Sequence, residues 1–159
     1  AKPDTPEGKA ARDAAIAKAK KEGVAAVAAD MLPKLLASQT YDEDSELVEF
    51  VQEMMEDTSL EGMVGALQAM KDRPDSTPTL ATIDVPTLII HGADDQLIPL
   101  SEARAMQAAI EGSELVVIPE AGHLPNLEQI DLFSDAVLDF LDALIGEDHD
   151  HSHNHDHEY

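Results

Sequence analysis

With 159 residues the chain is long enough for one domain of ordinary size, and 33 acidic against 10 basic side chains leave a formal net charge of −23. That charge argues against a nucleic-acid partner, whose phosphates would be repelled, and against anionic membrane surfaces. The absence of cysteine excludes disulfides, a thiolate nucleophile and a Cys-based metal site.

Apolar residues make up 43% of the chain, but alanine supplies much of that share and aromatics only 3%, so a large core is not guaranteed. No apolar run approaches membrane-spanning length, and Ala1-Lys2-Pro3-Asp4 does not resemble a signal peptide. A cytoplasmic location is the expectation. The chain starts without Met, which leaves processing or truncation open at this end.

The first half reads as helices. Thr5-Pro6-Glu7 is a cap, a first-turn proline and a first-turn acid, and the helix they open should end near Gly23. Val24 to Leu36 continues as a second helical segment, kinked or restarted at Pro33. A third runs from the Asp44/Ser45 cap to about Glu56, with Leu47, Phe50, Val51, Met54 and Met55 on one face. Thr58-Ser59-Leu60-Glu61 matches a capping box and opens a fourth, carrying Met63, Leu67 and Met70 and stopped at Lys71-Asp72-Arg73-Pro74. Residues 1–74 form the first expected unit.

Asp75 to Thr79 is a Pro/Ser/Thr-rich connector, after which the pattern changes. Val85-Pro86-Thr87-Leu88-Ile89-Ile90 is a short β-branched run, as expected of a strand buried on both faces. A helix from Ser101 to Ile110, a turn at Gly112 and a second such strand, Leu115-Val116-Val117-Ile118, follow. A last helix, near Asp131 to Ile145, should bury Phe133, Val137, Phe140, Leu141 and Leu144 and expose Asp131, Asp135, Asp139 and Asp142. Strand, helix, strand, helix with apolar strands predicts an α/β class of parallel architecture over residues 75–145. Two parallel strands need further strands beside them, so this half asks for a partner.

In open α/β sheets, catalytic groups gather at the carboxyl ends of the strands. Two such loops carry chemistry here: His91-Gly92-Ala93-Asp94-Asp95-Gln96-Leu97-Ile98-Pro99 and Ile118-Pro119-Glu120-Ala121-Gly122-His123-Leu124-Pro125-Asn126-Leu127-Glu128-Gln129. If the strands are neighbours, a carboxylate from the first can take the His123 Nδ1–H, fix the tautomer and stabilise the imidazolium. Acid before histidine, with a serine expected upstream of both, is the order of α/β-hydrolases.

On these two motifs, Val85 to Leu144 resembles the C-terminal part of an α/β-hydrolase-fold serine hydrolase. The preceding helices resemble the cap inserted before the last strands in that family. Asp4-Thr5-Pro6-Glu7-Gly8 and Leu32-Pro33-Lys34-Leu35-Leu36 look like cap segments of its small-ester and enol-lactone hydrolase branch. The resemblance implies a helical cap followed by two parallel strand-helix units, with Asp95 as the acid and His123 as the general base. It implies no cofactor, and a small carboxylic ester or lactone as substrate. Asp94 is the competing carboxylate, read as a loop cap, and His91 as a packed residue.

The resemblance stops at the nucleophile. No G-x-S-x-G elbow occurs; Ser113 leads into a strand, and Ser59 and Ser101 look like helix caps. Without nucleophile and oxyanion donors, this chain alone is expected to be inactive, its partner being a missing N-terminal hydrolase half or a second copy of itself. Two other readings stand beside the enzyme: a truncated remnant acting as an interaction module, and metal handling by the tail. Residues 146–159 are expected to be a disordered His/Asp-rich tail, whose His149, His151, His153, His155 and His157 can converge on Zn²⁺, Ni²⁺ or Cu²⁺.

Overall fold

The computed structural model describes residues 1–147. Helix α1 (Pro6–Glu22) begins as its sequence dictates: Thr5 Oγ1 accepts from the Gly8 N–H at 3.1 Å. Gly23, at φ 90°, ends it in a conformation other residues resist. Helix α2 (Val24–Leu35) runs two residues past Pro33 and stops where Leu36 turns extended. The expected kink is therefore an end, because the proline falls in the last turn. Helix α3 (Ser38–Glu43), invisible in the periodicity, follows at once.

Helix α4 (Ser45–Glu56) is capped by Asp44 Oδ1, which accepts from the Leu47 N–H at 3.0 Å. Its inward stripe is Leu47, Val48, Val51 and Met55, while Phe50 and Met54 are 53% and 49% exposed. The expected face was turned too far, since packing on α2 selects the 47-51-55 row and leaves the 50-54 row outside. Helix α5 (Leu60–Asp72) has Ser59 as its cap, with Oγ accepting from the Gly62 N–H at 3.0 Å. Thr58, expected to open the capping box, instead closes α4 by donating its N–H to Met55 O. The connector holds a short helix, α6 (Thr77–Leu80), which buries Leu80.

Strands β1 (Leu88–Gly92) and β2 (Glu114–Ile118) pair in parallel, Leu88 opposite Glu114 through Gly92 opposite Ile118. Val85, expected in the first strand, lies before it and is 61% exposed. Helix α7 (Leu100–Ala109) crosses between the strands with Pro99 at its cap position, so Ser101 lies inside the helix and caps nothing. Gly112, at φ 71°, makes the turn into β2. Helices α8 (Pro125–Glu128) and α9 (Ile130–Glu147) complete the described chain.

The core lies where helices meet loops. Leu32, Leu36 and Val51 are buried together, with Leu124 and Leu127 from the region after β2 packed against them. The sheet is less covered than its composition led us to expect: Leu88, Ile89, Ile90 and Leu115 to Val117 are only half-buried. On α9, Phe133, Val137, Phe140 and Leu144 are half-buried, and Leu141, expected inside, is exposed with Leu132, Leu138 and Ile145. Two strands offer too little sheet for an apolar helix to bury its stripe.

Candidate active site

Both loops leave the carboxyl ends of adjacent parallel strands, and the register sets Gly92 beside Ile118. The Ala93 N–H donates to Ile118 O at 2.8 Å and the Asp94 N–H to Ala121 O at 2.9 Å, so the two loops stay together past the sheet. Close approach demands glycine at two places. A Cβ on Gly92 would stand 1.9 Å from Gly122 O, and one on Gly122 would stand 2.6 Å from Ala37 N. The turn before the histidine puts Glu120 at φ 54°, a left-handed conformation uncommon outside glycine.

This geometry brings Asp95 and His123 together. His123 Nδ1 lies 2.8 Å from Asp95 Oδ2. The other carboxylate oxygen, Oδ1, accepts from the Leu97 N–H at 2.8 Å and the Ile98 N–H at 2.9 Å. The Asp95 side chain is 5% exposed and that of His123 39%, so the acid is enclosed and the base reaches solvent. Burial pushes the Asp95 carboxyl up. The bonds from His123, Ile98 and Leu97 and the His123 charge outweigh it, holding the carboxyl below its ordinary value. An ionised acceptor at Nδ1 places the ring proton there and leaves Nε2 to take a proton from a reactant.

Asp94 behaves differently. Its N–H makes the loop contact, and its side chain, expected as a loop cap, is exposed. His91 is packed as expected, 8% exposed, with Nδ1 2.7 Å from Gly92 O. Its Nε2 has no hydrogen-bond partner among the described residues and stands 3.8 Å from Asp95 Oδ2.

The sequence reading missed the residues that fasten this pair to the helices. Gln96 Nε2 donates to Pro33 O and Leu36 O, each at 3.3 Å. The His123 N–H donates to Leu35 O at 2.7 Å. Glu128 accepts from the Gly122 N–H at 2.8 Å and from the Ala37 N–H at 2.7 Å. The only signal was a carboxylate on the short helix that Pro125 opens, close enough to fold back over the turn. Three methionines of α4 and α5 lie apart from the pair: Met55, Met63 and Met70 line a cavity of about 200 Å³ with Val27 and Leu67. A larger one, about 510 Å³, lies among α1, α2 and α5 and reaches Leu97, while neither Asp95 nor His123 lines it.

A model of the alpha/beta hydrolase fold matches residues 27–129. The chain belongs to the α/β-hydrolase family. Among curated relatives of this α/β-hydrolase, a putative carbamate hydrolase, RutD, of Klebsiella pneumoniae is 41% identical over 85 residues. That match covers 54% of this chain and 32% of the relative. A 2-hydroxy-6-oxononadienedioate/2-hydroxy-6-oxononatrienedioate hydrolase of Escherichia coli is 39% identical over 83 residues, 52% of this chain and 29% of its own. Among solved structures, a thermophilic esterase from Thermogutta terrifontis superposes with a TM-score of 0.85 at 36% identity. It covers 90% of this chain and 53% of the esterase. The enol-lactonase from Burkholderia xenovorans gives 0.79 at 28% identity, over 89% and 52%. The chain thus spans about half the length of these solved relatives and about a third of the curated ones.

Among the described residues no group of three or more His, Asp or Glu side chains could hold a metal ion. His149, His151, His153, His155 and His157 lie outside the described residues. No described helix is long and apolar enough to cross a membrane.

Proposed function

We propose that this chain supplies the acid and base of a Ser-His-Asp acyl-transfer site acting on a small carboxylic ester or lactone. The observation that carries the reading is the 2.8 Å contact between an enclosed Asp95 and a solvent-reaching His123 at the carboxyl ends of paired strands. A serine hydroxyl outside these 159 residues attacks the carbonyl carbon as His123 Nε2 takes its proton. Asp95 stabilises the imidazolium. Collapse of the tetrahedral adduct expels the alcohol, protonated by Nε2, and water repeats the sequence on the acyl-enzyme. The nucleophile and oxyanion donors come from the segment that completes the sheet, so the chain alone is inactive.

In this reading residues 1–74 act as the lid and 75–145 as the last part of the catalytic core. The esterase and enol-lactonase likeness supports the substrate class, and the putative carbamate hydrolase and the oxononadienedioate hydrolase among the relatives support a hydrolase. The test is hydrolysis of p-nitrophenyl acetate by this chain alone and joined to a segment carrying a G-x-S-x-G elbow. Turnover only in the joined form, lost on His123→Ala, is the expected outcome. Turnover by the chain alone defeats it.

A second reading, a non-catalytic module that self-associates, draws on two exposed features: both strands of the described sheet are edges, and α9 exposes Leu138, Leu141 and Ile145. A stable dimer in sedimentation, with no hydrolysis in the joined form, would favour it. Metal handling by the five tail histidines remains a third proposal, tested by zinc calorimetry on the full chain.

A further inference from the structure

We propose that Glu128 is a positioning residue for His123, an inference that rests on His123 being the general base. Three consecutive amides, of Gly122, His123 and Leu124, carry the imidazole, and all three find protein acceptors. Glu128 Oε1 takes the first at 2.8 Å and the third at 3.4 Å, while Leu35 O takes the middle one at 2.7 Å. The second carboxylate oxygen, Oε2, takes the Ala37 N–H at 2.7 Å, ninety-one positions away in sequence. Glu128 therefore grips the histidine turn with one oxygen and the α2–α3 junction with the other.

The arrangement is directional. Gly122 already lies so near Ala37 and Leu35 that a Cβ there would approach Ala37 N to 2.6 Å. Nothing bulkier than the carboxylate bridge is needed to set the spacing, and only an acceptor on both sides can serve it. A glutamine in its place presents one acceptor and one donor, so one of the two grips fails and an N–H faces an N–H. Asp95 is anchored within its own loop, its Oδ1 accepting from the Leu97 and Ile98 amides, and the neighbouring Gln96 bonds Pro33 O and Leu36 O. Loss of Glu128 consequently frees the histidine turn while the Leu97 and Ile98 amides still hold the acid. A loosened turn lengthens the His123–Asp95 contact and misaims Nε2, which costs turnover more than substrate binding.

The test uses the full chain, ¹⁵N-labelled, as wild type and Glu128→Gln. Amide exchange at Gly122, Leu124 and Ala37 should quicken by about 10- to 100-fold in the variant. The downfield His123 Nδ1–H resonance should broaden or vanish, while exchange in α1, β1 and β2 stays as in wild type. A folded variant with an unchanged Nδ1–H resonance overturns the proposal, since a merely stabilising bridge would leave that proton alone. Should Glu128→Gln fail to fold, Glu128→Asp, which keeps the charge and shortens the reach, is read the same way. In the joined enzyme, kcat should fall by about 10- to 100-fold with KM little changed, and an unchanged kcat overturns the positioning role. Failure of the underlying reading looks different: His123→Ala would then hydrolyse normally, whatever Glu128→Gln does to the resonance.

Discussion

The α2–α3 junction and the outer side of the sheet are built in opposite ways. At the junction, Leu36 and Ala37 are buried, and backbone groups of Pro33, Leu35, Leu36 and Ala37 all bond the two loops that follow β1 and β2. Along β1, β2 and α9, apolar residues lie half-covered, and Leu138 and Ile145 are 56% and 60% exposed. The difference teaches where the chain is self-sufficient. Asp95, His123 and the helices that hold them are bonded to one another, whereas the sheet presents a surface suited to more strands.

The sharpest way to break that contrast is to remove the acid. In the joined hydrolase, Asp95→Asn should lower kcat by about 10⁴-fold, because the amide no longer fixes the ring tautomer. Steady-state kinetics reads it, and a loss under tenfold would separate Asp95 from the chemistry. Next in size is the buried seam. Leu36→Ala should destabilise the chain by about 2–5 kcal/mol, measured by urea unfolding. Gly92→Ala should cost about 1–3 kcal/mol by forcing Gly122 O away from the new Cβ.

A subtler effect is in pH. The folded Asp95 carboxyl titrates below its ordinary value, so its stabilisation is full above an unfolded pKa of about 3.9 and fades as pH falls through the folded one. The stability difference between wild type and Asp95→Asn should therefore shrink as pH falls below about 4. Smallest of all, Leu138→Ala on the exposed side of α9 should change stability by less than about 0.5 kcal/mol. A large loss there would mean that this face is already covered.

Much of this was legible in the sequence, for local reasons. Thr5, Asp44 and Ser59 are short polar side chains before helical runs, and each caps the helix it precedes. The order of Asp95 and His123 after two apolar runs pointed to paired loops, and the parallel register puts them there. What was missed depends on packing between distant segments. Periodicity alone could not choose between the 47-51-55 and 50-54 rows of α4, because α2 makes that choice. Nor could it reveal that Glu128 bonds Ala37, since nothing local brings those residues together.

Fluorophosphonate labelling tests the central claim most directly, because it reports an activated serine and nothing else in the site. The chain alone should stay unlabelled. Joined to a G-x-S-x-G segment it should label on that serine, and His123→Ala should abolish the reaction. Labelling of the 159-residue chain by itself, or undiminished labelling without His123, would contradict the account.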